Sequence, residues 1–190
     1  MYWIWFNEPT ADDEAAIYDP PVIFEDEDIS FGDGVRVGRA VPLVTVVRGE
    51  DAQGVLPDNL TVPRAMGLAF SSRLRAILTD VGVDNIDYYP CLITNPADGA
   101  TSEDYMLANV IGKVECVDLA QSDVEMHPVL PNTIQFINSL VLKEDAIGDA
   151  LFFRLAEFLP LVVVHEKVKD AVAAAGLTGV RFYEPENVPL

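Results

Sequence analysis

Basic residues are scarce in this chain of 190: twelve Lys and Arg stand against 31 Asp and Glu, for a net charge of −19. Phosphate backbones and anionic membranes are bound by clustered Lys and Arg, so the deficit argues against direct contact with nucleic acid or a membrane surface. Cysteine is scarce too. Cys91 and Cys116 have no CxxC spacing and no histidine ligand beside them, so both read as reduced core residues rather than as a disulfide or a metal site. The two histidines, His127 and His165, lie far apart. There is no GxSxG, no GxxxxGK, and no helix after Gly32-Asp33-Gly34 to make that turn a phosphate cradle. Long apolar runs are missing as well. Met1–Phe6 has no positive flank and stops at Asn7-Glu8, and the stretch from Ala150 to Val164 is interrupted by Arg154 and Glu157. The expectation is a cytoplasmic protein without a cofactor.

Acids, by contrast, are plentiful and unevenly spread. Residues 1–60 hold thirteen Asp or Glu against Arg36, Arg39 and Arg48. Such a face keeps a protein dispersed, and it also steers a basic partner. Asp26, Asp28 and Ser30 have the alternate spacing of a calcium loop, but Phe31 stands where the sharp turn needs glycine and no glutamate follows at the twelfth position. No metal is expected there. The acidic, proline-rich text from Asn7 to Gly34 predicts a surface excursion with little regular structure.

Apolar periodicity supplies the rest. Met1–Phe6 reads as a strand covered on both faces, and Val35–Val47 as a strand with Pro42 near its start. Phe70, Leu74, Ile77, Leu78 and Val81 form one helical stripe over about 70–82, with Ser71 or Ser72 as N-cap and Gly82 as stop. Val164, Val168, Ala171, Val172 and Ala175 repeat it over about 165–175, and Gly176 ends it. Strands follow both, from Ile86 through Ile93 and from Val180 to Tyr183. Laid over one another with a constant offset of 94, Leu74 meets Val168, Leu78 meets Val172, Gly82 meets Gly176 and Tyr89 meets Tyr183. Arg73 likewise meets Lys167. The few identities favour a local solution reached independently, although duplication stays open.

Between the two units, Asp104–Leu119 predicts one long strand with Gly112 as a bulge, Gln121–Pro131 a polar connection, and Thr133–Leu142 a strand before a turn at Lys143–Asp149. The expected fold is α+β: a single domain over 1–190, with a mixed or antiparallel sheet packed by at least two amphipathic helices. Residues 1–60 are its acidic, proline-rich part and 61–190 its core.

Three groups of residues carry a resemblance. Phe70-Ser71-Ser72-Arg73-Leu74, Tyr105-Met106-Leu107-Ala108-Asn109-Val110 and Val117-Asp118-Leu119-Ala120-Gln121-Ser122 resemble the immunity proteins of bacterial polymorphic toxin systems, and within them the myxobacterial-type family. The endings Phe152-Phe153-Arg154-Leu155 and Ala175-Gly176-Leu177-Thr178-Gly179-Val180-Arg181-Phe182 are similar to that family's closing pattern. His165 stands where a serine cap is expected. The resemblance runs from about Leu68 to Glu184 and implies a protein that protects its producer by binding a toxin. It brings no catalytic residue. The expected partner is a toxin with a basic surface, and the expected contact is the acidic excursion: Asp12, Asp13 and Glu14, then Glu25, Asp26, Glu27 and Asp28.

Two other classes compete. A small hydrolase or transferase would show a deep cleft of carboxylates with displaced titration. An acidic adaptor would show the same surface beside a different gene neighbour.

Overall fold

A computed structural model describes residues 1–8, 14–25, 29–48 and 54–189, the side chain of Glu25 excepted. In chain order the elements are β1 (Tyr2–Asn7), β2 (Val44–Val47), β3 (Asn59–Leu60), β4 (Leu68–Ser71), α1 (Ser72–Asp80), β5 (Ile86–Thr94), β6 (Thr101–Ser102) and β7 (Tyr105–Val110). There follow β8 (Lys113–Val114), β9 (Asp123–Met126), β10 (Ile134–Ser139), α2 (Glu144–Ile147), β11 (Phe152–Leu155), β12 (Val162–His165), α3 (Glu166–Ala174) and β13 (Val180–Tyr183). Short 3-10 turns occupy Val22–Glu25, Arg64–Met66 and Pro185–Asn187. The class is α+β, as expected.

Each main helix begins where a strand stops, with no loop between. Ser71 ends β4 and its Oγ accepts from the Leu74 amide at 3.2 Å, while His165 ends β12 and its Nδ1 accepts from the Lys167 amide at 3.1 Å. Phe70 and Val164, the first residues of the two apolar stripes, therefore belong to strands. Both helices stop the same way. Gly82 and Gly176 take positive φ, and the amides of Val83 and Leu177 fold back to the carbonyls of Leu78 and Val172. That is the Schellman arrangement, which side chains with a Cβ resist.

Two sheets are present where the sequence suggested one. The first runs β2-β5-β7-β4-β3 with β6 on β5, the second β13-β1-β12-β11-β8, and β9 and β10 form a separate hairpin. The break lies at Gly112. Its φ of 112° ends the predicted long strand after Val110, so that β7 stays in the first sheet while β8 pairs with β11 in the second. Alternation alone cannot show a chain changing sheets, because the residues on either side keep their period of two.

The offset of 94 extends well beyond the helices. β4 and β12, α1 and α3, and the first residues of β5 and β13 coincide under it. So do the registers. Ala69 faces Leu107 and Tyr89 faces Leu107 in the first sheet, and Val163 and Tyr183 both face Ile4 in the second. The order β5-β7-β4-β3 is thus matched by β13-β1-β12-β11. One core joins the halves: Leu74 and Leu78 of α1, Val168 and Val172 of α3, and Trp5, Phe70 and Phe152 from the strands. Leu74 is wholly buried, and truncating a residue of that kind to alanine costs about 2–5 kcal/mol.

Candidate partner-binding surface

Each sheet has a second face, and different chain covers each. Over the first sheet, Ala15, Ile17, Phe24, Ile29 and Phe31 pack on Val44, Val46, Ile93 and Leu107. The region read as a surface excursion is therefore pinned inward by its apolar residues. It has little regular structure, but the amides of Ala15 and Ile17 bond Val55 and Thr61 at 2.8 Å, and the Phe31 ring stacks on Tyr89 at 4.4 Å. Charge outweighed Ile29 and Phe31 in the sequence because each stands alone among polar and acidic residues, and Ile17 because its apolar run, Ala15-Ala16-Ile17-Tyr18, is only four residues long. Between the pinned points the chain turns outward at Asp19-Pro20-Pro21. Tyr18 and Val22 are 72% and 75% exposed there.

Of the acids expected to meet a partner, Glu14 is half-buried and bridges to Val55, and the backbone of Glu25 closes the 3-10 turn. Asp12, Asp13, Asp26, Glu27 and Asp28 lie outside the described residues. Tyr18 and Val22 thus sit in the short segment between the two acidic groups.

Over the second sheet the cover is built differently. Cys116, Val117, Ile134, Ile137, Leu140 and Ile147 pack on Ile4, Phe153 and Val163. Glu157, buried, ties this cover down: its Oε1 accepts from the Val117 amide at 2.8 Å and its carbonyl from the Ile134 amide at 2.7 Å. The segment read as a polar connection contains a strand, β9, and the turn at Lys143–Asp149 contains the short helix α2. From Val114 to Leu142 there are four acids and no Lys or Arg.

The tip of this hairpin is held from within. His127 Nδ1 accepts from the amides of Val129 and Leu130 at 3.2 and 3.0 Å, and its own amide bonds the Thr133 carbonyl at 2.7 Å. Val129 is 80% exposed, Leu130 and Met126 are exposed beside it, and Phe136 is 57% exposed opposite Glu125. An apolar pair bracketed by Pro128 and Pro131 inside a polar stretch was the sequence signal for this tip.

Titration reflects packing in both covers. Burial pushes the Cys91 thiol up to about 12 beneath the first cover and the Cys116 thiol up to about 12 within the second. Both are free thiols, as expected. The Gln121 side chain holds Asp118 below its ordinary range, the opposite of what a general acid needs. A cavity of about 360 Å³ is lined in part by Glu144, Glu184 and Glu186, with the Met1 ammonium 3.4 Å from Glu144. Among the described residues no group of three or more His, Cys, Asp or Glu could hold a metal ion, and no helix is long and apolar enough to cross a membrane.

A family model described as the Immunity protein family (Imm11) matches residues 6–187. The chain belongs to that family. The match takes in the acidic N-terminal cover as well as the stretch from Leu68 to Glu184, so in this Imm11 chain both covers are part of the family unit. No curated protein matches the chain. Membership in Imm11 makes toxin neutralisation the coarse function, and the twin sheets become the scaffold that carries two unlike surfaces.

Proposed function

We propose that this chain neutralises a cognate bacterial toxin by binding it directly and occluding it, with no chemistry of its own. Family membership supports the first half of that reading. The geometry that carries the second is the exposure of Tyr18 and Val22 on a pinned segment between two acidic groups. A tyrosine and an aliphatic residue presented on an anchored backbone cost little entropy to bury, which suits them to be the hot spot of an interface. The flanking Asp12, Asp13, Glu14, Glu25, Asp26, Glu27 and Asp28 would steer a basic toxin, raising association toward ~10⁸ M⁻¹s⁻¹ at low salt.

The hairpin tip is the second reading for the contact, favoured by the preorganised exposure of Val129 and Leu130. One experiment separates them. The product of the adjacent gene is co-expressed with the wild-type chain, with Tyr18→Ala/Val22→Ala, or with Val129→Ser/Leu130→Ser, and survival and affinity are measured. Loss in the first variant alone places the toxin on the N-terminal cover. Loss in the second alone moves it to the hairpin. Survival that needs neither the protein nor its binding defeats the immunity reading and returns the choice to an acidic adaptor or to an enzyme using the Glu144, Glu184 and Glu186 cavity.

A further inference from the structure

A cavity of about 220 Å³ opens where the two halves meet. Leu68 and Val162, which correspond under the offset of 94, both line it. In a chain with only twelve basic residues, two of them, Arg64 and Arg154, line this one space. Arg154 is 2% exposed. Its Nη1 donates to the Leu159 carbonyl at 2.9 Å and its Nη2 to the Phe31 carbonyl at 3.2 Å, while its Nε has no partner among the described residues. Both acceptors are neutral, so no carboxylate bonds this buried guanidinium. Burial first, and the neighbouring Arg64 second, lower its pKa to about 10, with Asp33 pulling the other way. Arg64 stands at the rim, half exposed, with Asp33 at 3.5 Å. Trp5, a third lining residue, is buried and its indole N–H is also unpartnered.

A buried donor left unmade costs about 1–3 kcal/mol and more when it is charged. Two arginines line one cavity with a single carboxylate, Asp33, paired there among the described residues, which leaves the site one negative charge short. Most of the other walls are apolar, among them Val62, Leu68, Pro160 and Leu161, with Asn7 the polar exception. A dianion would meet these walls and the field of a −19 chain. A carboxylate on an apolar stem fits both.

We propose that this cavity binds a carboxylate carried on an aliphatic or aromatic stem, with the Arg154 and Arg64 guanidinium groups donating to the carboxylate and Val62, Leu68 and Leu161 receiving the stem. The site touches the first cover, since Arg154 donates to the Phe31 carbonyl and Arg64 pairs with Asp33, but it uses none of the residues of the toxin-binding reading. The same group can come from a free small acid or from the free C-terminus of another chain.

The test uses the full-length protein with hexanoate as probe, tryptophan emission and the thermal midpoint as readouts, and hexan-1-ol and inorganic phosphate as controls. Hexanoate should give a saturable change and a raised midpoint, with hexan-1-ol at least tenfold weaker. Arg64→Gln, whose side chain lies at the rim and leaves the fold intact, should weaken hexanoate about tenfold, equivalent to ~1.4 kcal/mol. Arg154→Lys keeps a charge but loses the planar fork and should weaken it similarly; circular dichroism checks that this variant stays folded. A capped peptide ending in a free leucine carboxylate decides the source: tighter binding than hexanoate assigns the site to a chain terminus, weaker binding to a free acid. The proposal is overturned by no saturation up to about 50 mM hexanoate, well above any specific affinity. It is equally overturned by hexan-1-ol or phosphate binding as well as hexanoate, or by Arg64→Gln binding as wild type does.

Discussion

The half built on β4, α1 and β5 and the half built on β12, α3 and β13 share registers, caps and glycine stops, yet the chain over their outer faces differs in every respect. Over the first sheet lies an irregular, acidic, proline-rich cover, and over the second an ordered hairpin with a short helix. Sameness is confined to what the shared core demands. A strand running straight into a helix, stopped by a glycine with positive φ, buries the inner face of each sheet against the other half. The outer faces need only apolar cover, which leaves everything pointing outward free to specify a partner. The register shared by four strands also makes the repeat a property of whole halves and not of a helix alone. Its central strand comes from after β5 in one half and from the chain start in the other.

The sharpest way to break the comparison lies where the halves depart from equivalence. Gly179 corresponds to Asn85 under the offset. A Cβ on Gly179, whose φ is +80°, would lie 2.1 Å from the Asn59 carbonyl oxygen, so Gly179→Ala should abolish cooperative folding, a loss of more than about 4 kcal/mol in urea titration. Asn85→Ala leaves the backbone free and removes only the Nδ2 bonds to the Ile111 and Phe152 carbonyls at 2.6 and 2.8 Å, costing about 2 kcal/mol. Equal costs would mean that the two turns do the same job and that the departure is incidental.

Asp58 is the next point of strain, because it holds both halves at once. Its carboxylate accepts from the Ser71 hydroxyl at 2.8 Å and from the Thr178 amide at 3.1 Å. Replacement by alanine strips a cap partner from the first half and a turn from the second, for about 2–3 kcal/mol. Asp58→Asn, which keeps the shape, should recover part of that. Affinity for the toxin compares the covers themselves: Tyr18→Ala/Val22→Ala should cost about 2 kcal/mol or more in binding, roughly thirtyfold, and under 0.5 kcal/mol in stability.

How much of this was legible follows the same division. The helices, their caps and the glycine stops could be read because each is fixed by residues within one turn of one another. Even the pairing of Arg73 with Lys167 was visible as a coincidence of charge. The covers were not legible. Phe31 and Ile29 are single apolar residues in acidic text, β9 exposes Asp123, Glu125 and Met126, and the division into two sheets depends on the backbone at Gly112. The partner-contact acids rest on composition, and most of them lie outside the described residues. The unpartnered Nε of Arg154 had no sequence signal at all, since its partners, Leu159 and Phe31, contribute only backbone carbonyls.

One free cysteine on the inner side of each cover, Cys91 on the sheet and Cys116 in the cover itself, makes the two separately measurable. An unfolded thiol ionises near 8.5, whereas Cys91 and Cys116 hold their protons to about 12. The folded state therefore binds more protons between those values, so stability is complete below about pH 8.5 and falls as pH rises toward 12. At pH 8 a thiol reagent should reach each cysteine only when its cover opens. Cys91, beneath the irregular cover, should label about tenfold faster than Cys116, a difference of ~1.4 kcal/mol in local opening. Equal rates would show that regular structure is not what makes a cover stable here.

The smallest effect tests the symmetry most directly. Arg73 donates to the carbonyl of Ala175, the cap of α3, and Lys167 Nζ donates to the carbonyl of Val81, the cap of α1, at 2.7 Å. Each helix thus supplies a cation to the negative end of the other. Both side chains are exposed, so Lys167→Ala should cost only about 0.5 kcal/mol, fading with added salt. Arg73→Ala should cost a few tenths more, because Arg73 also pairs with Asp58 at 3.3 Å, for which the second half has no counterpart among the described ion pairs. Arg73→Lys makes the two caps alike. If the reciprocal bond is what matters, this variant should match wild type at high salt and fall short of it only at low salt, where the Asp58 pair still counts. A deficit that persists at high salt would assign the difference between the halves to the guanidinium's shape, and the two helix ends would then be alike in position only.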